Sequence, residues 1–258
     1  MNDRFEELII NNRDFLKDRI RKSVDFSKTE QNNNIEAPPI QKPYHDDAKL
    51  IDLVFEDEWE KKYKIPLAKA IKNRKSHRNY IGDPINLEEL SFLLWAVQGL
   101  RYIEGVNGFR NVPSAGCRHS METYLAVFNI SGLETGIYRY LPLSHQLVLE
   151  FKVENLNQKL INATFGQQFV GLSAVTFIWT AIPKRMEWRY GPVSHKVIAM
   201  DAGHMGQNLY LACEAINSGT CAIAAYDQDY ADEILNLDGV DEFVIYLAPV
   251  GKTNPKED

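Results

Sequence analysis

The sequence predicts an α+β fold, in which helices pack on the faces of a β-sheet. A long helix is predicted over residues 194–216, because apolar residues recur at alternating steps of four and three and form one stripe. Strand-like runs at 123–130, 136–141 and 146–151 are separated by short turns, which favours a local antiparallel meander. Strands grouped before a long helix, with isolated strands beyond them, are typical of α+β proteins.

The helix predicted over 194–216 is the candidate centre of the fold. It spans about six turns, and Ala202, Gly203 and Gly206 lie together on it. Because glycine weakens a helix interior by roughly 1 kcal/mol relative to alanine, these residues predict close approach of another backbone or of a flat ligand. The small apolar residues at 220–225 predict a buried strand or extended edge whose backbone can reach a ligand.

The N-terminal quarter of the chain differs in composition from the rest. We predict an extension at residues 1–65, followed by one domain at 66–258. Apolar residues at helical spacing among charges predict an amphipathic helix over 3–22. Residues 23–47 are polar and interrupted by prolines, which predicts a surface strap or linker able to wrap a partner.

Turn and capping signals predict the remaining elements. Asn86, with Glu89 three residues later, predicts a capped helix that ends at Gly99. The glycine-rich segment 101–116 and the charged, aromatic segment 183–192 are predicted as loops. The other predicted elements are a short helix from Pro66, helices at 155–165 and 227–235, and strands at 174–182 and 242–249.

Composition and charge exclude several classes of function. The 258 residues are 45% hydrophobic and 25% charged, which fits a globular protein. A net charge of −6 provides no basic field for nucleic acid or an anionic membrane. The longest apolar run, 172–182, is too short to span a bilayer, and the charged N-terminus lacks a secretory signal pattern. Because Cys117, Cys213 and Cys221 form no paired motif, we expect a reducing cytoplasm.

A phosphate-binding segment is predicted at Arg74, Ser76 and Arg78. In an extended segment these alternate residues share one face, because the side-chain period of a strand is two. Two guanidiniums and a hydroxyl suit a phosphate monoester better than a carboxylate, because bidentate contacts and extra donors saturate its oxygens. The alternative interpretation is a solvated basic turn, which is common on protein surfaces.

Three further segments are candidates for a ligand pocket. Backbone N–H groups and one hydroxyl can turn toward a ligand in the loop Pro113, Ser114, Ala115 and Gly116. Gly251 and Lys252 follow a strand, where the lysine could add a cation to an anion site or remain solvated. Tyr190, with Arg185 and Arg189, could line a substrate mouth or fasten a surface loop.

Several catalytic motifs are missing from the sequence. It contains no glycine-rich dinucleotide motif, Walker loop, H-E-x-x-H or G-x-S-x-G. The six histidines show no ligand-like pairing, so no metal site is predicted. Asp201, His204 and Asn208 form a polar stripe at helical spacing, which we interpret as helix-packing hydrogen bonds rather than catalysis.

Several motifs, in order along the chain, resemble the nitroreductase family. They are R-x-S-x-R, L-E-E-L-S-F-L-L-W-A-V-Q-G, R-N-V-P-S-A-G, E-T-Y-L-A-V, G-I-Y-R-Y, D-A-G-H-M-G-Q-N-L-Y-L-A and A-P-V-G-K. Within that family the chain is similar to the SagB/ThcOx-type branch of FMN-dependent dehydrogenases. The similarity covers roughly residues 66–252.

The resemblance implies a mixed, mainly antiparallel sheet flanked by helices, in an intertwined homodimer with one FMN per subunit at the interface. It implies that Arg74, Ser76 and Arg78 bind the flavin, with Arg78 near the ribityl chain and the N1/C2 edge. The other implied contacts are a loop from the partner subunit over the isoalloxazine ring (Pro113, Ser114, Ala115 and Gly116), amides at flavin N5 and O4 (Ile223, Ala224 and Ala225), and a cation at the phosphate (Lys252, after Gly251).

The activity implied by the resemblance is that of an FMN-dependent oxidoreductase. Hydride would pass through flavin N5 from NADH or NADPH to a small electron-poor acceptor, by a ping-pong mechanism. Azoline-oxidising members of the branch carry a Lys-Tyr pair, where this chain has Arg189 and Tyr190. Because arginine is a poor general base, azoline oxidation on a modified peptide is the alternative, with Tyr190 as the candidate catalytic residue. A third hypothesis is a non-catalytic flavin-binding or scaffolding protein that interacts through the strap at 23–47.

Overall fold

Nine β-strands and nine α-helices lie in residues 3–59 and 61–254, which a computed structural model describes. The strands are β1 (Leu50–Asp52), β2 (Leu100–Glu104), β3 (Asn107–Arg110), β4 (Met121–Val127), β5 (Gly136–Leu141), β6 (Gln146–Phe151), β7 (Val175–Ala181), β8 (Ser218–Thr220) and β9 (Phe243–Lys252). The helices are α1 (Asp3–Phe15), α2 (Glu56–Trp59), α3 (Leu67–Asn73), α4 (Leu87–Gln98), α5 (Leu156–Ala163), α6 (Gln168–Gly171), α7 (Lys184–Tyr190), α8 (Ser194–Ala215) and α9 (Gln228–Ile234).

Seven of the strands form one sheet, in the order β1-β6-β5-β4-β7-β9-β8, and β2 pairs with β3 in a separate hairpin. Every ladder of the large sheet is antiparallel. The strands β4, β5 and β6 are neighbours both in sequence and in the sheet, which confirms the predicted meander. The sheet flanked by helices confirms the predicted α+β class.

The sheet separates two hydrophobic cores. Side chains alternate between its faces because the strand period is two. On β4, Met121 and Leu125 pack in the larger core, which also contains residues of α4 and α8. Tyr124 and Ala126 pack in the second core, with residues of α5 and α9. The residues of β4 and β7 are all buried, so both central strands are covered on each face.

The predicted central helix is confirmed as α8. Its apolar stripe is buried against the sheet and includes Met205 and Leu209. At Gly206 an added Cβ would come within 2.9 Å of a ring carbon of Tyr246, so this glycine permits close packing against β9. At Gly203, by contrast, no described atom lies within 4 Å of such a Cβ. Gly203 therefore lies on the open face of the helix.

The helix start predicted at Asn86 is confirmed in detail. The Glu89 N–H donates to Asn86 Oδ1 at 2.9 Å, and the Asn86 N–H donates to Glu89 Oε2 at 3.1 Å. This reciprocal pair is a capping box, and it satisfies two N–H groups that α4 leaves without helical partners. The helix ends at Gln98, before Gly99, as predicted.

The predictions for two loops are wrong. Segment 101–116 contains the hairpin of β2 and β3, whose strands are joined by a cross-strand stack of Tyr102 on Phe109, with centroids 4.5 Å apart. Its glycines mark a tight turn rather than an irregular loop. Segment 183–192 contains α7, which buries Met186 and other residues of its inner face. The charged, aromatic composition of segment 183–192 indicated a loop. Its burial against the rest of the protein stabilises a helix instead.

The strap at residues 23–47 lies on its own chain. Four buried side chains donate hydrogen bonds to its carbonyl oxygens. These bonds join Arg110 to Ile40 at 2.6 Å, Arg118 to Pro38 at 3.5 Å, Arg139 to Lys42 at 2.8 Å and to Pro43 at 2.9 Å, and Trp188 to Ile35 at 2.8 Å. The segment predicted to be able to wrap a partner is thus fastened to its own subunit. The helix before it, α1, exposes Phe5 and Leu8.

A buried carboxylate organises the guanidiniums beneath the strap. Glu122 Oε1 accepts hydrogen bonds from Arg185 Nη2 at 2.6 Å and from the backbone N–H of Lys42 at 2.8 Å. Arg139 Nη1 lies 3.6 Å from Glu122 Oε2. Burial alone would raise the pKa of Glu122, but the guanidiniums of Arg185 and Arg139 outweigh it and hold the pKa below its usual value.

Within the described residues, no helix combines the length and the apolar character needed to cross a bilayer.

The substitution Glu122→Gln is expected to destabilise the fold by about 3–5 kcal/mol, because it leaves buried guanidiniums without a counter-charge. Urea unfolding measures this loss. Because the folded-state pKa is depressed, the contribution is complete above the unfolded pKa of about 4.3 and disappears as the pH falls through the folded value. The difference in the free energy of unfolding between wild type and variant should therefore become smaller in acid.

The exposed Glu134→Gln, which breaks only a solvated pair with Lys152, is the control and should have little effect on stability. Equal stability of Glu122→Gln and wild type at pH 7 would contradict this account.

Candidate functional site

The segment 74–78 lies beside β8, at one edge of the large sheet. Ser76 forms an isolated parallel bridge with Thr220, and the His77 N–H donates to the Thr220 carbonyl at 2.9 Å. Gly219 permits this approach, because a Cβ there would come within 2.4 Å of the His77 ring. The backbone thus holds the predicted phosphate-binding segment next to the small residues at 220–225.

Tyr210 of α8 connects the two segments. Its hydroxyl accepts a hydrogen bond from the Ala222 N–H at 2.9 Å and lies 3.0 Å from Ser76 Oγ. The sequence analysis did not identify Tyr210. Its place one helical turn after Gly206, on the same side of α8, is the signal that could have indicated it.

The two predicted arginines rest on aromatic rings. The guanidinium carbon of Arg74 lies 5.2 Å from the ring centroid of Tyr210, and that of Arg78 lies 5.9 Å from the centroid of Phe169. Neither forms an ion pair with any carboxylate in the described parts of the chain. A ring under a guanidinium leaves its N–H donors free, so both arginines remain able to bind an anion.

The three residues predicted to present amides to a ligand differ in their availability. Ile223 is buried, and its N–H donates to the Leu247 carbonyl of β9 at 2.7 Å. The following residues, Ala224 and Ala225, are exposed. The Ile223 N–H is therefore already used in the sheet. Of the three predicted amides, only those of Ala224 and Ala225 remain candidate donors to a ligand.

Lys252, the predicted cation near the C-terminus, already has partners within its own chain. Lys252 Nζ forms an ion pair with Glu89 and donates to the Ile216 carbonyl at 2.8 Å, with its side chain only 16% exposed. Contact between this ammonium and a phosphate would require the ion pair to open. Gly251 is explained by packing, because a Cβ there would come within 2.6 Å of the Tyr80 ring.

The loop of Pro113, Ser114, Ala115 and Gly116 lies against the predicted Arg-Tyr pair. Gly116 has a φ of +58°, and an added Cβ would come within 2.5 Å of the Tyr190 hydroxyl and 2.9 Å of Arg189 Cδ. Arg189 Nη1 also donates to the Gly116 carbonyl at 3.4 Å. Glycine at this position therefore permits both the left-handed backbone and the close approach of Tyr190.

Asp201 of α8 holds the same loop. The Ser114 hydroxyl and the Ala115 N–H lie beside its carboxylate, whose buried Oδ2 has no hydrogen-bond partner among the described residues. Burial raises the pKa of Asp201, and these two neighbouring donors offset only part of the rise. The stripe predicted as helix packing is confirmed for Asn208, which donates to the Ala96 carbonyl at 2.8 Å, whereas Asp201 serves the loop.

His119, near this loop, is held neutral. Its burial, followed by the charges of Arg110, Arg118 and Arg185, lowers its pKa to about 3. A histidine with this pKa does not exchange protons at neutral pH. Tyr190 therefore remains the candidate acid–base group of this cluster.

The predicted residues thus form two clusters beside α8. Arg74, Ser76 and the segment 220–225 form the cluster next to Tyr210. The loop of residues 113–116 forms the cluster next to Asp201. Nine residues of α8 separate them, which corresponds to about 13 Å along the helix axis. One chain therefore does not bring the complete predicted site together at a single point.

Comparisons with known proteins agree with this fold. The model of the nitroreductase family matches residues 71–252. The chain is 32% identical over 188 residues to "Putative nitroreductase MJ1384" of Methanocaldococcus jannaschii, covering 73% of this chain and 91% of the relative. A crystal structure from Anabaena variabilis, described in the same terms, superposes with a TM-score of 0.66 and 26% identity. That match covers 83% of this chain and 43% of the Anabaena chain.

A further relative is the trifolitoxin-processing protein TfxB of Rhizobium leguminosarum bv. trifolii. It is 28% identical over 145 residues, which cover 53% of this chain and 38% of TfxB. The chain thus spans well under half of both TfxB and the Anabaena protein. Because the family match extends from α3 through β9 and the fold agrees with that of a relative, the chain belongs to the nitroreductase family and is an oxidoreductase.

Proposed function

We propose that the chain binds FMN and transfers hydride from NADH or NADPH to a small electron-poor acceptor, by a ping-pong mechanism. The observation that carries this proposal is the pair of guanidiniums, Arg74 and Arg78, resting on aromatic rings without carboxylate partners in the described residues. Next to them lie a hydroxyl, at Ser76, and two exposed backbone segments. A donor-rich edge without counter-charge fits a phosphate monoester.

We assign successive parts of an FMN molecule to the residues of the Arg74 cluster. Arg74 and Ser76 would hold the phosphate, and Arg78 would approach the ribityl chain and the N1/C2 edge. A cation near N1 favours the reduced, anionic ring. The amides of Ala224 and Ala225 would meet the N5/O4 edge, where they orient the ring without reacting.

When bound, FMN supplies the redox chemistry, by taking up hydride from a reduced nicotinamide and releasing it to an acceptor. The protein therefore needs no nucleophile of its own, which agrees with the missing motifs. Its residues bind the cofactor, exclude water from one face and leave the other face open to two substrates in turn.

We further propose that two copies of the chain complete each site. The loop of residues 113–116 lies about 13 Å along α8 from the Arg74 cluster, so a second copy is the natural source of a loop that covers the flavin. Gly203 on the open face of α8 would allow two such helices to approach closely. Sedimentation of the purified protein as a dimer would support this arrangement, and a monomer that binds FMN with full activity would contradict it.

The test of the proposed function is the absorption spectrum of the purified protein before and after NADPH is added without oxygen. We expect flavin absorbance that disappears on reduction and returns on addition of a quinone. Flavin that binds but is reduced by neither NADH nor NADPH would favour the non-catalytic flavin-binding hypothesis. A protein that takes up no flavin would contradict the proposal altogether.

A second candidate function is oxidation of azolines in a modified peptide, favoured by the similarity to a trifolitoxin-processing protein. Oxidation of an azoline removes one hydride and one proton. The hydride would pass to the flavin, and Tyr190, which lies against the 113–116 loop, is the candidate group to take the proton. Arginine is a poor general base, so Arg189 is unsuited to this step.

The variants Arg74→Ala and Arg78→Ala are each expected to weaken FMN binding by about 10- to 150-fold, since each removes a charge-assisted contact worth about 1.5–3 kcal/mol. Fluorescence titration of the flavin-free protein measures the change. Arg13→Ala, on the exposed face of α1, is the matched control and should bind FMN as the wild type does. Wild-type affinity in both test variants would remove the assignment of this segment to the cofactor.

The variant Tyr190→Phe separates the two candidate functions. If azoline oxidation is the activity, loss of the hydroxyl should lower its rate by about 10²- to 10⁴-fold, while reduction of a quinone by NADPH changes little. Steady-state rates on both substrates, with the half-exposed Tyr44→Phe as control, measure this difference. An equal loss on both substrates would show that the hydroxyl only supports packing against Gly116.

A further inference from the structure

Tyr210 contacts two residues that the proposed function assigns to the FMN site, and it also contacts Ala222, just before the exposed amides of Ala224 and Ala225. Its hydroxyl oxygen lies 2.9 Å from the backbone nitrogen of Ala222 and 3.0 Å from Ser76 Oγ. Its ring lies beneath the Arg74 guanidinium, at 5.2 Å. Tyr210 therefore links the phosphate-binding segment to the segment that carries the amides at 224 and 225.

Chemistry fixes the direction of only one of the two hydrogen bonds. A backbone N–H can only donate, so the Tyr210 oxygen accepts from Ala222. Either hydroxyl can donate in the bond between Tyr210 and Ser76, and the phenolic hydrogen is free to donate to Ser76 Oγ. A serine oxygen that accepts this hydrogen keeps its own hydrogen for another acceptor. Ser76 is exposed, so that hydrogen can reach a ligand.

We propose that Tyr210 is a positioning residue that orders the Ser76 hydroxyl as a donor to the phosphate of FMN. The donors would form one chain, from the Ala222 N–H to the Tyr210 hydroxyl, then to the Ser76 hydroxyl and to a phosphate oxygen. Hydrogen bonds in such a chain polarise one another, and the last one gains most from an anionic acceptor. This inference rests on the proposed binding of FMN and adds a residue and a direction to it.

The effect of the hydroxyl can be separated from that of the ring. Tyr210→Phe keeps the aromatic face beneath Arg74 and removes only the link between Ala222 and Ser76. Riboflavin shares every part of FMN except the phosphate. A role confined to shaping the pocket would change the affinity for both flavins, whereas ordering of Ser76 toward the phosphate would change the affinity for FMN alone.

The experiment is a titration of the full-length, flavin-free protein with FMN and with riboflavin. Four proteins are compared: wild type, Tyr210→Phe, Ser76→Ala and the double variant. Tyr210→Phe and Ser76→Ala should each weaken FMN binding about tenfold and leave riboflavin binding within about twofold of wild type. The double variant should bind FMN no more weakly than Ser76→Ala alone, because both changes break the same chain.

Tyr246→Phe is the matched control. Its ring packs against Gly206 and Trp179 on the same side of α8, and loss of its hydroxyl should change neither affinity. Equal weakening of FMN and riboflavin in Tyr210→Phe would overturn the proposal, as would additive losses in the double variant or an unchanged affinity for FMN. Wild-type protein that binds neither flavin would instead overturn the proposed function itself, so the two failures are distinguishable.

Discussion

The packing of α8 against the antiparallel sheet determines where two groups of candidate site residues lie. Its buried stripe fixes both the rotation and the height of the helix, because a shift of one residue would move the stripe about 100° away from the sheet. With the helix fixed, Asp201 is placed at the 113–116 loop and Tyr210 at the 74–78 segment. One hydrophobic contact therefore sets the geometry of two polar clusters.

Buried charge has a different role in this molecule. Glu122 and the guanidiniums around it lie beneath the strap, where Glu122 accepts from the Lys42 N–H and Arg139 donates to the Lys42 carbonyl. The guanidiniums of Arg74 and Arg78, by contrast, rest on aromatic rings and have no carboxylate partner in the described residues. Arginines of the first kind hold the chain together, whereas arginines of the second kind are available to a ligand. The pattern of partners separates structural arginines from candidate ligand-binding arginines, a distinction that sequence alone does not make.

Local signals predicted much of the fold. Three features could be predicted because each depends on residues close in sequence: the capping box at Asn86, the stripe of α8 and the meander. The hairpin within 101–116 and helix α7 were missed, because burial by distant elements overrides their loop-like composition. For the site, the motifs selected candidate segments, but the sequence could not indicate which of their groups already have partners in the fold. Ile223 and Lys252 are committed to partners far along the chain, and Tyr210 acquires its role only from the fold.

The attachment of the strap has a consequence for how the molecule folds. Residues 35–43 bond to groups that lie between residues 110 and 242, so closing these contacts joins points of the chain up to 200 residues apart. Such contacts form late, because the entropy of closing long loops must be overcome before they contribute any stability. During synthesis the strap emerges from the ribosome long before Glu242, the most distant residue that bonds to it, has been translated. Attachment of the strap is therefore complete only after nearly the whole sheet has been translated, and its polar, proline-containing composition suits a chain that stays in water during that interval.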